Sequence, residues 1–362
     1  LLLTGVNLLL RLVSTSFQVY ISAQIGAAGV GLLQLVLSVG GMALTAGMAG
    51  IRTGTMYLTA EELGKKRPQN VGYTLRCCSI YSLLCSGCVA MLLLCLSSPI
   101  AGRWIGDSRT IPALRLLAAF LPVSCMVGVM TGYFTAAGRI KTLAAVEVAE
   151  QLFSMTVTIL SLGFWAQSDA GKACQCVVFG SGAGSVLTLC LLLWLRHREA
   201  KAKSQPFDVK KRLLQTAVPL AVADDLKAGI NTTENLMVPK RLALYPHAID
   251  PLAAFGTVCG MVFPILMFPA AVLFGLCELL IPEMARCNAA GSYLRIQYLA
   301  KRSLRVSMLY GCFFCGILYL CAGQLCDKIY GSADAGRHLA LYAMLAPMLY
   351  CDAVTDAINK GL

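Results

Sequence analysis

Residues 77–98 read CCSIYSLLCSGCVAMLLLCLSS, 22 consecutive positions without a charged side chain. As a helix such a run extends about 33 Å, enough to cross a hydrocarbon core of about 30 Å. A barrel strand would alternate apolar and polar residues with period two, and this stretch does not. Similar runs recur along the whole chain. They predict about ten spans, near 1–24, 30–58, 71–98, 113–136, 142–166, 173–196, 213–237, 252–281, 303–326 and 337–358. Composition agrees, with 57% hydrophobic and 13% charged residues and a mean hydropathy of +0.71. A soluble domain carries roughly a quarter charged residues. The expected fold is therefore all-α, a polytopic transmembrane helical bundle.

The net charge of +12 does not require nucleic acid, and no nucleic-acid partner is expected. The basic residues sit in short loops between apolar runs, where a positive-inside bias gives the same total and anionic membrane lipids are natural contacts. One set of loops carries Lys65, Lys66 and Arg67, then Arg139 and Lys141, the stretch from Arg196 to Arg212, and Arg286 to Arg305. These hold roughly twice as many Lys and Arg as the alternate loops, which places them and the N-terminus in the cytoplasm. The 17 Cys are scattered inside apolar runs, where a thiol behaves as a small hydrophobe. With His197, His247 and His338 far apart in sequence, no metal site is expected, and no cofactor motif is present. Gly180-Ser-Gly-Ala-Gly184 lacks the Gly-Lys-Ser/Thr of a phosphate loop. Gly128-xxx-Gly132, Gly180-xxx-Gly184 and Gly256-xxx-Gly260 read instead as close helix contacts. No nucleophile–base arrangement stands out, so an enzyme is not expected, and pumping would draw on an ion gradient or downhill substrate flow.

An internal repeat has a constant offset of about 225 residues. Gly31 falls on Gly256, Gly50 on Gly275, Gly106 on Gly331 and Pro122 on Pro347, with Leu114, Leu116 and Ala118 on Leu339, Leu341 and Ala343. The offset maps spans one to four onto seven to ten. An even number of spans separates the halves, so the repeats run parallel, related by an axis along the membrane normal. The expected organisation is an N-terminal lobe over 1–200, a basic cytoplasmic linker over 201–212, and a C-terminal lobe over 213–362 that is cut short. The first span opens at Leu1 with no initiator Met and no basic n-region. That argues against a cleaved signal peptide and predicts that the chain begins within its first helix.

Ionisable residues inside spans carry the functional signal, since each costs roughly 2.5–3.5 kcal/mol at a helix centre on insertion scales. Arg11 lies mid-way along the first run. In the seventh, Asp224, Lys227, Asn231 and Glu234 recur at helical spacing and form one polar stripe, with Asp225 beside it. Facing lipid, that stripe would be too costly, so it is expected to line a cavity between lobes. Part of it reads equally as a locally neutralised Asp–Lys pair. Arg52 ends the second span, where an interfacial anchor is the simple reading. Glu147 and Glu150 in the fifth span fit either packing or a proton or cation site, and Asp352 and Asp356 share a face with the same ambiguity.

A family resemblance follows from Gly26-Ala-Ala-Gly29-Val-Gly31-Leu-Leu-Gln34-Leu, Gly50-Ile-Arg52 with Glu61-Glu62-Leu-Gly64, and Gly132-Tyr-Phe-Thr-Ala-Ala-Gly138-Arg139. Glu150-Gln151, Val238-Pro-Lys-Arg-Leu242 and Phe268-Pro269 continue in order. Together they resemble the polysaccharide-flippase branch of the multidrug/oligosaccharidyl-lipid/polysaccharide exporter superfamily, over essentially the whole chain. The resemblance implies a two-lobed, MATE-like bundle of 12 to 14 helices in the bacterial cytoplasmic membrane, moving undecaprenyl-diphosphate-linked saccharides outward by alternating access. Asn359-Lys-Gly-Leu362 resembles the family segment that ends the tenth helix, in line with a shortened second lobe. Arg11, Arg52 and Lys227 are then the cations expected to hold a diphosphate, with Asn231 and Glu234 beside them. The Asp224-Asp225-Leu-Lys227 segment is more polar than the family pattern. Two other readings stand. In a cation-coupled drug antiporter, Asp224, Asp225 and Glu234, with Glu150 as a further candidate, would bind protons, sodium or drug. A non-transporting scaffold would recruit cell-wall or spore-coat synthesis proteins through the Arg196–Arg212 loop.

Overall fold

The computed structural model describes residues 2–64, 68–165, 169–198, 210–244, 250–289 and 291–361, and every regular element among them is helical. In chain order these are α1 (Leu2–Met48), α2 (Ile51–Gly64), α3 (Pro68–Pro99), α4 (Ile111–Ala136), α5 (Ile140–Trp165), α6 (Ala170–His197) and α7 (Lys210–Leu242). They continue with α8 (Pro251–Gly256), α9 (Phe263–Met267), α10 (Ala270–Ala289), α11 (Tyr293–Tyr330), α12 (Ala333–Ala343) and α13 (Ala346–Gly361). Wide π-helical turns occupy Ile100–Ile105 after α3 and Thr257–Val262 between α8 and α9. Residues 201–209 of the predicted 201–212 linker lie outside the described residues.

Among the described residues, length and apolar composition give six candidate membrane spans, or eight when two sharply bent helix pairs each count once. The difference from ten has two physical causes. The first candidate covers Leu12–Leu63, 52 residues, or about 78 Å of helix against a core of about 30 Å. It is broken at Gly26, whose φ of 69° and ψ of 174° lie in a region open essentially to glycine alone. The second cause is α7, whose polar stripe keeps it below the hydropathy of the others. The bent pairs fall in the predicted spans 252–281 and 337–358, with bends of 63° and 58°. Pro269 lies at one break and Pro347 just past the other, and each removes a backbone donor. At the first break Tyr310 Oη donates to Pro269 O at 2.8 Å and Tyr350 Oη donates to Leu266 O at 2.6 Å. These bonds satisfy carbonyls that water does not reach in a hydrocarbon layer.

Contacts divide the chain into two compact units, Leu1–Gly31 with Leu252–Leu362, and Leu32–Pro251. This partition follows contacts rather than chain order: the start of α1 belongs with the last third of the chain, and α7 belongs with the first half. The division at 200 and 213, read from the repeat, is a different cut of the same chain. In the first unit, Val262, Leu266, Ala322, Cys326, Leu339 and Tyr350 form a buried core. In the second, Ile51, Leu75, Cys78, Val129 and Ala217 join α2, α3, α4 and α7.

The repeat is visible in geometry. Gly106 and Gly331, 225 apart, both close helices in the left-handed conformation, with φ of 84° and 63°. Gly31 and Gly256, also 225 apart, touch each other. A Cβ on Gly31 would collide with Leu252 O, and one on Gly256 would collide with Ala27 O. Residues 27 and 252 are themselves 225 apart, so the two clashes are equivalent under the same offset. Pro122 and Pro347 part company: the first lies inside a continuous α4, the second at the α12–α13 bend.

All three small-residue pairs read from the sequence are close contacts. A Cβ on Gly132 would lie 2.5 Å from Arg52 O, one on Gly180 would strike Thr158 Oγ1, and one on Gly260 would strike Val30. The 17 cysteines are free thiols.

Candidate functional site

Helix α7 runs 33 residues with Pro219 and Pro239 near its two ends. Between them lie the residues of the stripe expected from spacing. Asp224, Lys227, Asn231 and Glu234 all face one cavity of about 840 Å³, together with Leu226 and Ile230. The opposite wall is the second limb of α1 and the start of α2, contributing Leu44, Thr45, Met48, Gly50, Arg52 and Thr53. Arg52 is brought there by the break at Ala49–Gly50, both with positive φ, which turns the chain so that α2 starts over Gly128 and Gly132 of α4. The cavity lies wholly within the Leu32–Pro251 unit.

Two cations, Arg52 and Lys227, thus share a lining with two carboxylates, Asp224 and Glu234, and with the neutral polar groups of Thr45, Thr53 and Asn231. The formal charge of the lining is balanced. All five of these predicted residues are exposed to the cavity space rather than sealed in the core. A third carboxylate stands behind Arg52: Glu147 of α5 feels both the Arg52 charge and that of Glu150.

The remaining predicted residues lie elsewhere. Asp225 turns away from the cavity, and its charge acts on Tyr81 of α3. Its Oδ1 is buried with no hydrogen-bond partner. Glu150 packs its Cγ against Gly184 of α6, near where a Cβ there would sit, and is outside the cavity lining. The side chain of Arg11 lies outside the described residues.

Farther along the same seam, α1 and α7 are tied together. Thr232 Oγ1 donates to Ser38 O at 3.1 Å, and Asn235 Nδ2 donates to Ser38 Oγ at 3.0 Å. A smaller cavity of about 330 Å³ between them shares Thr45, Ala228 and Asn231 with the large one and adds Gln34. Beyond it, Lys240 Nζ donates to Arg103 O at 2.6 Å, holding the end of α7 to the turn after α3. The two helices run antiparallel, since Ser38 meets Asn235 while Arg52 lies level with Asp224. The seam is therefore bonded at its Ser38 end and open in the middle. Sequence reasoning singled out none of Ser38, Thr45, Thr53, Thr232 or Asn235. Ser38 and Thr45 are seven apart on one face of α1, which was a usable signal. Among the described residues no group of three or more His, Cys, Asp or Glu is placed to hold a metal.

Residues 4–163 match the family model described as MatE. Over 376 aligned positions the chain is 21% identical to stage V sporulation protein B of Bacillus subtilis, covering 100% of this chain and 72% of that protein. Among solved structures it is similar to an inward-facing multidrug resistance MATE transporter of the MOP superfamily. That likeness has 14% identity and a TM-score of 0.69, covering 99% of this chain and 85% of that one. It is also similar to an outward-facing MATE transporter, with 13% identity and a TM-score of 0.68, covering 99% and 80%. A third likeness is to a MOP superfamily transporter from Pyrococcus furiosus whose binding pocket is described as reversed in polarity, with 13% identity and a TM-score of 0.66, covering 99% and 81%. These matches show that the chain has the multi-pass helical fold of the MATE transporters, with the MatE family match lying over residues 4–163.

Proposed function

We propose that this transporter is a flippase for a lipid-linked saccharide carried on a diphosphate, moving it outward across a bacterial cytoplasmic membrane by alternating access. The observation that carries this reading is the pairing of Arg52 and Lys227 on facing walls of one cavity of about 840 Å³. A diphosphate needs fixed cations from more than one direction. A guanidinium offers it paired donors and an ammonium a compact charge, and such charge-assisted hydrogen bonds are the strong ones. Asn231, Thr45 and Thr53 supply neutral polar groups suited to sugar hydroxyls. Asp224 and Glu234 neutralise the two cations while the cavity is empty, which keeps an unloaded bundle from holding net charge in the bilayer. With the basic loops in the cytoplasm, the bonded Ser38 end of the seam is the outer end, and substrate enters from the Arg52 side. Such a transporter would work alongside cell-wall synthesis proteins.

A second reading, cation-coupled drug export, is favoured by one observation, the presence of Asp224 and Glu234 in that same cavity. Pocket polarity differs among proteins of this fold, as the Pyrococcus furiosus structure is described, so the cavity's own residues decide between the two. The purified protein is challenged in native mass spectrometry with undecaprenyl-diphosphate saccharide and a cationic drug in competition. Retention of the diphosphate lipid, lost in Arg52→Ala and Lys227→Ala, is expected. Drug retention that survives both changes and disappears in Asp224→Asn replaces the flippase with the antiporter. Failure to retain either ligand removes both and leaves a scaffold.

A further inference from the structure

A second cavity, unconnected with the seam, opens where α4, α5 and α6 meet. It has about 510 Å³ and is lined by Leu116 of α4, Ser161 and Trp165 of α5, and Lys172, Cys176 and Phe179 of α6. Its walls are mostly apolar. Around its mouth the surface belongs to a lipid-facing helix, with Leu160, Phe164 and Trp165 exposed. Trp165 is the last residue of α5 and Lys172 lies in the first turn of α6. Both therefore stand at a span end, the level at which tryptophan and lysine meet lipid headgroups.

Lys172 is exposed and makes no ion pair among the described residues. The acidic side chains of the turns that precede α4 and α6 are already committed. Asp169 Oδ1 accepts the Gly171 N–H at 3.0 Å as the cap of α6. Asp107 takes both Nε and Nη2 of Arg109, at 3.1 and 2.8 Å. The ammonium is thus left for an anion from outside the chain. A lysine that simply reached for water would need no cavity behind it. Here the space behind the charge lies within the range of about 300–1,000 Å³ found for ligand pockets, and its apolar walls suit a hydrocarbon.

We propose that this groove binds one acyl chain of an anionic phospholipid, with the phosphate held by Lys172 and the headgroup edge packed on Trp165. The shape excludes a free polar anion, because most of the site's surface is apolar and would gain nothing from phosphate alone. It equally disfavours a zwitterionic lipid, whose own cation would lie against Lys172. The site is independent of the transport cavity, so its lipid is a resident of the helix surface and not a cargo.

The test uses the whole protein, purified in neutral detergent, and native mass spectrometry with phosphatidylglycerol, phosphatidylcholine or inorganic phosphate added separately. One phosphatidylglycerol is expected to be retained about tenfold better than phosphatidylcholine, the difference one charge-assisted contact makes. Lys172→Gln is expected to erase that preference while both lipids still bind weakly. Ser161→Phe fills the groove from α5 and is expected to remove the tight adduct with Lys172 intact. Thermal unfolding shows whether either variant has lost its fold. Undiminished preference in folded Lys172→Gln overturns the proposal, as does equal retention of phosphatidylcholine by the unaltered protein. Displacement of the adduct by inorganic phosphate alone would show a surface anion contact in place of a lipid groove.

Discussion

Helix α1 makes two contrasting contacts on either side of Gly31. Just past the Gly26 break it crosses α8 with backbone against backbone, where neither Gly31 nor Gly256 has room for a methyl group and Val30 fills the space beside Gly260. Farther along, it meets α7 through hydroxyl and amide hydrogen bonds, with two cavities between the helices. The first contact is built of glycine, alanine and valine, and the second of serine, threonine, asparagine and charge. In a membrane there is little hydrophobic force between helices, so close packing and polar bonds are the two available ways to hold a pair together. A helix pair that uses the first is fixed. A pair that uses the second separates at the cost of a few weak bonds. The same chain segment thus makes one close-packed contact and one polar contact with space inside it.

The largest effect is expected at the glycine crossing. Gly256→Leu puts a side chain into Ala27 O, and overpacking of this kind costs about 1–3 kcal/mol or more. A sharply lowered melting temperature, or loss of the monodisperse peak in detergent, is the expected result. A Gly256→Leu protein as stable as the parent would mean that the crossing is loose and the contrast with the seam false.

Next comes the polar break in the Leu1–Gly31 and Leu252–Leu362 unit. Tyr350→Phe leaves Leu266 O without its donor, at a cost of about 1–3 kcal/mol for an unsatisfied buried group. Tyr310→Phe, which is less buried, should cost less. Thermal unfolding of the two variants orders them, and the reverse order would break the argument that burial sets the penalty.

The seam bonds should be weaker. Asn235→Ala and Thr232→Ala are each expected to cost about 0.5–1.5 kcal/mol while raising the reactivity of a cysteine placed at Gln34, which lines the smaller cavity, toward a water-soluble maleimide. Unchanged labelling would mean that these bonds do not close that end of the cavity.

The smallest effect lies outside both contacts, in the loop before α4. The Arg109 guanidinium holds the Asp107 carboxyl below its usual range. Because the folded-state pKa is lowered, the contribution is present above the unfolded value and is lost as pH falls through the folded one. Arg109 is well exposed, so solvent screening keeps the contribution of the pair small. Melting curves of Asp107→Asn and the parent should differ at neutral pH and converge in acid. A difference that grows in acid would reverse the sign of the interaction.

The transmembrane class, the positions of most helices, the 225-residue repeat and the α7 stripe were legible in the sequence because each depends on local periodicity. A 22-residue uncharged run has one stable answer in lipid, and polar residues three or four apart on a helix share a face wherever that helix packs. Three kinds of fact were not legible. Whether a proline bends a helix depends on what surrounds it: Pro122 sits within a straight α4, whereas Pro347 lies at a bend. Which of two adjacent aspartates enters the cavity is decided by helical phase against a partner, and Asp224 enters while Asp225 turns toward Tyr81. The facing wall was faint, since Ser38, Thr45 and Thr53 carry no charge, and its one signal was the seven-residue spacing of Ser38 and Thr45. Sequence by itself determined that this chain is a repeated helical membrane protein with costly charges on its seventh helix. Only tertiary structure decided that Arg52 would stand opposite those charges, because the approach of two helices some 170 residues apart in the chain is set by packing and leaves no trace in local spacing.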